Sequence, residues 1–140
     1  MPLPVTLPLP QSGGCACEQV RFQINAEPLF VHCCHCTWCQ RETGAAFAVN
    51  ALIEASEVAL LRGNVVEVHT PSNSGEGQVI ARCADCQVAL WSNYATARGV
   101  IRFVRLEAGT PTVAEYYRRS EHWPDSSIER YNRAIGRVGT

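Results

Sequence analysis

Cys34-His35-Cys36-Thr37-Trp38-Cys39 sets three thiols within six residues, and two short-spaced pairs flank it along the chain, Cys15-Ala16-Cys17 and Cys83-Ala84-Asp85-Cys86. A C-x-C or C-x-x-C pair brings two thiolates within reach of one tetrahedral Zn2+, whose Zn–S bonds are about 2.3 Å. Two pairs close one four-sulfur site, and the group of three leaves a position open. Of the eight cysteines, this arithmetic leaves over only Cys33. The chain therefore reads as a two-zinc protein, with one structural site and one reactive site.

Cys15 and Cys17 precede the first expected strand, and Cys83 and Cys86 fall in a tight turn about 65 residues later. One metal joining them staples the start of the domain to its middle. Such a site does not exist in the unfolded chain, so its binding energy is folding energy, on the order of 10 kcal/mol in small zinc peptides. The alternative is a set of buried or free thiols. At Cys34, Cys36 and Cys39, three protein ligands plus a water or substrate form the pattern of a catalytic zinc. Three thiolates make the metal electron-rich and a weak Lewis acid, which suits holding a substrate thiol as thiolate better than hydrolysis. His35 lies between two ligating cysteines and is expected to point away. A fourth ligand from His32, His35 or Cys33 would close the site and turn it into a binding module. Cys36-Thr37-Trp38-Cys39 alone has dithiol redox spacing, but that chemistry goes with a βαβ context. The pattern shows no helix after it, and Cys34 adds a third thiol.

Outward from the cysteines, the pattern is that of a mainly β protein. Val20, Phe22 and Ile24 alternate with polar residues at the period of a half-buried strand. Residues 29–34 form a strand running into the triplet, and residues 40–45, with Thr43-Gly44, read as the turn closing that knuckle. Phe47, Val49, Ala51 and Ile53 alternate again. Residues 58–61 and 65–69, joined by Arg62-Gly63-Asn64, read as a hairpin. Pro71 to Gly77 is dense in turn residues. Residues 78–83 and 87–94 are strands that place the last cysteine pair at a hairpin tip, and residues 99–106 are another strand. Ser126-x-x-Glu129 suggests a capping box and Gly136 a helix stop, giving a short C-terminal helix. The expected organisation is an extended leader over 1–12, one zinc-binding domain over 13–124 and a tail over 125–140.

With 140 residues and 46% hydrophobic content, the chain is long enough to bury one core. Its net charge of −1 offers no basic face for nucleic acid or an anionic membrane. All twelve basic residues are arginine. No run reaches the roughly 18 apolar residues of a membrane span. The start, MPLPVTLPLPQSGG, lacks a basic export region. The expected compartment is therefore the reducing cytoplasm, where clustered cysteines favour metal over disulfides.

The arrangement resembles the glutathione-dependent formaldehyde-activating enzyme family, which includes the centromere protein V group. The resemblance is carried by Gly13-Gly14-Cys15-x-Cys17, Cys34-His35-Cys36-x-x-Cys39-Gln40-Arg41-x-Thr43-Gly44 and Arg82-Cys83-x-x-Cys86. Residues 117–123, ending in Ser120-Glu121-His122-Trp123, look like a shortened form of the family's Ser-Lys-x-Pro-Trp segment. It implies several small coiled antiparallel β-sheets around zinc. It further implies a structural zinc on Cys15, Cys17, Cys83 and Cys86, and a second, labile zinc on Cys34, Cys36 and Cys39 that exchanges with a bound thiol. The implied activity is that of a carbon–sulfur lyase forming S-(hydroxymethyl)glutathione from glutathione and formaldehyde. The implied partner is a small thiol such as glutathione; a homodimer is the one assembly considered, and no nucleic acid or membrane is expected. Glutathione carries two carboxylates, so Arg41, Arg118 and Arg119 are the candidate cations, and Trp38 and Trp123 candidate walls. Glu42, His35 and Tyr94 are the titratable groups considered for proton transfer. The chain departs from the family where Gln87 replaces the usual glycine after the last ligand, and in having no lysine in its tail.

Overall fold

The protein is described by a computed structural model over residues 8–71, 77–94, 99–102 and 121–123. Among the described residues, ten strands make two sheets. The smaller has the order β1 (Gln11–Gly14), β2 (Arg21–Ile24), β5 (Val58–Arg62). The larger runs β10 (Glu121–Trp123), β3 (Phe30–Cys34), β4 (Ala48–Ile53), β9 (Gly99–Arg102), β8 (Ala89–Tyr94), β7 (Gln78–Cys83), β6 (Val65–Thr70). All pairings are antiparallel except β10 with β3. The mainly β, small-sheet expectation holds. The expected C-terminal helix and residues 103–106 of the expected strand lie outside the described residues.

The alternation at Val20, Phe22 and Ile24 is the core face of β2, and all three are fully buried. Phe22 meets Trp91 edge to face at 5.4 Å and 80°, joining the two sheets. Cys15 and Cys83 are buried in the same cluster with Ile24, Ile53 and Leu90. A β-carbon on Gly13 would lie 2.6 Å from the Phe22 ring, and one on Gly14 would strike the Val20 carbonyl. The Gly13-Gly14 pair thus lets β1 approach β2 closely enough to bring Cys15 into the core. In β4 the burial exceeds simple alternation: Asn50 and Leu52 are buried along with Ala51 and Ile53. The strand is interior, between β3 and β9, and is covered on both faces.

Two local expectations are corrected. Residues 58–61 and 65–69 do not form a hairpin: β5 pairs with β2, and β6 pairs with β7 in the other sheet. Gly63 carries the crossing. Its φ is +95°, and a β-carbon there would lie 2.5 Å from the Gln19 carbonyl oxygen. The Asn64 carbonyl then accepts from the Ala84 amide at 2.9 Å, handing the chain to β7. Residues 40–45 are not a simple turn either. They complete α1 (Thr37–Thr43), which ends at Gly44 with φ 66°. Cys36 caps its start by accepting the Cys39 amide on sulfur at 3.3 Å, and the Gly44 amide closes its end on the Gln40 carbonyl at 2.8 Å. Thr43-Gly44, expected as part of a turn, is instead the helix end, and the helix start carries no usual sequence signal because a cysteine does the work normally given to Ser or Asp. The expectation that no helix follows Cys36-Thr37-Trp38-Cys39 is therefore corrected, and it no longer argues against redox chemistry. The third thiol does.

Candidate metal centres

The two ends of the first site are built alike. The Cys15 amide donates to the Val20 carbonyl at 3.2 Å, and the Cys83 amide to the Val88 carbonyl at 3.1 Å, so each first cysteine starts a turn closed five residues on. Amides then point at the sulfurs: Val20 N donates to Cys15 Sγ at 3.3 Å, and Asp85 N and Cys86 N to Cys83 Sγ at 3.4 and 3.5 Å. Each turn also needs a left-handed residue, Glu18 at φ 69° and Gln87 at φ 65°. The glycine that the resemblance implies after Cys86 would take this conformation without strain. Here Gln87 stands in the strained conformation, held by its amide on the Cys83 carbonyl and its side chain on the Ala84 carbonyl.

Replacing Gln87 with glycine relieves about 1–2 kcal/mol of left-handed strain. It gives back part of that in chain entropy and the exposed side-chain bond. We expect Gln87→Gly to be about 0.5–1 kcal/mol more stable, read as a melting point a few degrees higher. A lower melting point would show that the side-chain bond outweighs the strain.

The four sulfurs of Cys15, Cys17, Cys83 and Cys86 all lie within 4.8 Å of one another. Cys15 Sγ is 3.4 Å from Cys17 Sγ, and Cys17 Sγ is 3.6 Å from Cys83 Sγ. These separations are far above a disulfide bond of about 2.05 Å. They approach the roughly 3.8 Å edge of a tetrahedron with 2.3 Å Zn–S bonds. The donor set fits a tetrathiolate metal centre.

In the second group the Sγ atoms of Cys34, Cys36 and Cys39 again lie within 4.8 Å of one another, and no further His, Cys, Asp or Glu among the described residues joins them. Cys34 ends β3, Cys36 caps α1, and Cys39 sits on its buried side. Trp38 and Ala48 pack against them. Cys33 is fully buried, one residue out of phase on β3, and His35 lies against the Phe47 ring at 5.1 Å. Neither belongs to the group.

As free thiols, Cys34 and Cys36 titrate apart. The Cys34 thiol is pushed down to about 3, first by the hydrogen bond from Cys39, with His32 and Cys36 adding to it against the opposing effect of burial. Cys36 is pushed up, first by burial and then by the neighbouring Cys34 thiolate. Cys34 is therefore already a thiolate at neutral pH and gives up no proton to an incoming metal, whereas Cys36 must give one up. Proton competition at Cys36 makes metal binding here weaken as pH falls.

Of the other expected site residues, Arg41 is exposed in the last turn of α1. Trp123 pairs in parallel register with Cys34, which puts the backbone of that segment beside the triplet. Arg118 and Arg119 lie outside the described residues, as does the Tyr94 side chain. Glu42 is held by Arg82, Nη2 to Oε1 at 2.8 Å. Of the two buried polar residues beside the triplet, His32 is one of the three fourth-ligand alternatives and does not join the sulfur group, whereas Asn50 is unexpected from the sequence. His32 and Asn50 are Cα partners across β3 and β4, 4% and 3% exposed, and His32 shares a strand face with Cys34. Register continues this row to Glu121 on β10 and Arg102 on β9. Asn50 Oδ1 and Trp38 Nε1 are buried with no hydrogen-bond partner among the described residues. The available signal for Asn50 was an asparagine placed within an otherwise apolar strand.

The sequence profile of the family described as "Glutathione-dependent formaldehyde-activating enzyme" matches residues 10–125. A crystal structure of a Rhodobacter sphaeroides protein is similar with a TM-score of 0.56 at 18% identity, covering 80% of this chain and 98% of that one. At that identity the likeness speaks for the fold alone. No curated protein matches the chain.

Proposed function

Because this chain belongs to the glutathione-dependent formaldehyde-activating enzyme family, we propose that it is a zinc-dependent carbon–sulfur lyase acting on a small thiol adduct, with S-(hydroxymethyl)glutathione the leading case. The observation that carries this reading is the set of three sulfurs at Cys34, Cys36 and Cys39, one ligand short of a closed tetrahedron. Zinc held there would supply a site that favours a substrate thiol as thiolate. The thiolate sulfur adds to the formaldehyde carbon, the carbonyl π electrons move to oxygen, and that oxygen takes up a proton equivalent to the one lost by the thiol. The chain's own part is to hold the three sulfurs on β3 and α1. In this reading Trp38 and the Trp123 segment wall the site, and exposed Arg41 attracts a glutathione carboxylate. No helix among the described residues is long and apolar enough to cross a membrane. A reducing cytoplasm is the compartment in which eight thiols stay available to metal.

The test is zinc per chain by elemental analysis before and after excess glutathione, alongside the rate of S-(hydroxymethyl)glutathione formation. A second zinc that excess glutathione exchanges or draws off with the fold kept, and a rate above the uncatalysed one that depends on that zinc, are expected. Two zincs indifferent to thiol, with no rate enhancement, would mean a closed second site and a zinc-stabilised binding module instead.

A further inference from the structure

We propose that the Glu42–Arg82 ion pair is a strap between the two cysteine clusters, which makes metal binding at Cys34, Cys36 and Cys39 depend on the turn at Cys83. The inference rests on the reading that both clusters hold metal, and it assigns Glu42 and Arg82 as positioning residues.

Arg82 immediately precedes Cys83. Its Nη1 donates to the Gln87 carbonyl at 3.1 Å, clamping the far end of the turn that carries Cys83 and Cys86. Its Nη2 reaches 2.8 Å to Glu42 Oε1, forty residues away in sequence. One guanidinium therefore grips both the first site's turn and the helix of the second site. The side chains are 23% and 18% exposed, so water and salt screen the pair less than they would a surface pair.

The helix needs such an anchor. α1 has seven residues, well below the length at which a helix holds itself in water. It supplies Cys39, and Cys36 caps it, so a tilt of α1 moves two of the three sulfurs relative to Cys34 on β3. Glu42 lies one turn after Cys39, where a pull on its carboxylate sets that tilt. Metal in the first site orders the Cys83–Gln87 turn and with it Arg82, and Arg82 then seats α1. Linkage makes the effect mutual, so metal in either site strengthens the other. The first site should fill first and prepare the second.

The test is a Co2+ titration of the metal-free full chain, following the thiolate charge-transfer and d–d bands, with chelator removal as a second readout. Glu42→Gln, Arg82→Gln, the double variant, and the exchanged pair Glu42→Arg with Arg82→Glu are compared with wild type. Residues that orient metal ligands typically contribute 10–100-fold to affinity. We therefore expect Glu42→Gln to weaken the second equivalent about tenfold and leave the first unchanged, and Arg82→Gln, which also loses the bond to the Gln87 carbonyl, to weaken the second at least as much. The double variant should be no worse than one single variant, and the exchanged pair should recover most of the loss. An unchanged second equivalent in Glu42→Gln overturns the strap, even if Arg82→Gln fails to fold. So do additive losses in the double variant, or an Arg82→Gln effect confined to the first equivalent. A wild type that binds two equivalents while the variants behave identically sinks the strap alone. A wild type that binds only one sinks the two-metal reading and the strap with it.

Discussion

Cys83→Ala is expected to leave a chain that does not fold stably. Cys83 is fully buried in the main core, and its sulfur accepts two amides of its own turn. Alanine removes one of four ligands and strands those amides beside the remaining three. A structural zinc site contributes on the order of 10 kcal/mol, against a total stability of about 5–15 kcal/mol for a domain. A large part of the first figure is lost with the fourth thiolate, because two short-spaced pairs joined across the domain become one pair and a stray cysteine. The cavity adds a smaller cost in the same direction. The measurements are far-ultraviolet circular dichroism, thermal melting and zinc content of the purified variant. Low solubility, a broad non-cooperative melt and lost zinc are expected. A soluble variant with a cooperative melt and two zincs would falsify the structural assignment.

Cys39→Ser should have the opposite profile, with the fold kept and the second metal lost. Cys39 belongs to a small separate cluster with Cys36 and Ala48, apart from the core around Phe22 and Leu90. Serine preserves the volume to within a small change, and the Cys39 carbonyl still accepts the Thr43 hydroxyl at 2.7 Å. A neutral hydroxyl, however, is a poor zinc ligand beside two thiolates. Zinc should fall from two per chain to one, the melt should stay cooperative, and formation of S-(hydroxymethyl)glutathione should drop at least about a hundredfold, as expected when a metal that activates the nucleophile is removed. Full activity with one zinc remaining would place the chemistry elsewhere. Together the variants separate the clusters: one should fail in folding, the other in function.

Much of this is legible in the sequence. Cysteine spacing is a local property, and two thiols separated by one or two residues can share a metal in nearly any fold, so the grouping into four and three followed from spacing alone. The strands at 21–24, 30–34, 78–83 and 89–94 were legible because each carries a period-two apolar face or ends at a ligand pair. Where the reading failed, a local signal was outvoted. Arg62-Gly63-Asn64 has the composition of a hairpin turn, yet Gly63 is needed for its close approach to Gln19 and for its φ of +95°, and the flanking strands join different sheets. The start of α1 escaped because a thiol caps it.

The sequence by itself determined which side chains can ligate metal, how they divide between two sites, and that one set is a ligand short. These follow from the reach of a side chain over one to three peptide units. Only the tertiary structure decided what the sites touch. It set His32 opposite Asn50 beside Cys34, put Gln87 into a left-handed conformation, and brought Glu42 within 2.8 Å of Arg82. Such contacts join residues tens of positions apart. Their partners are chosen by strand register and sheet order, which depend on the packing of the whole core and leave no periodic trace along the chain.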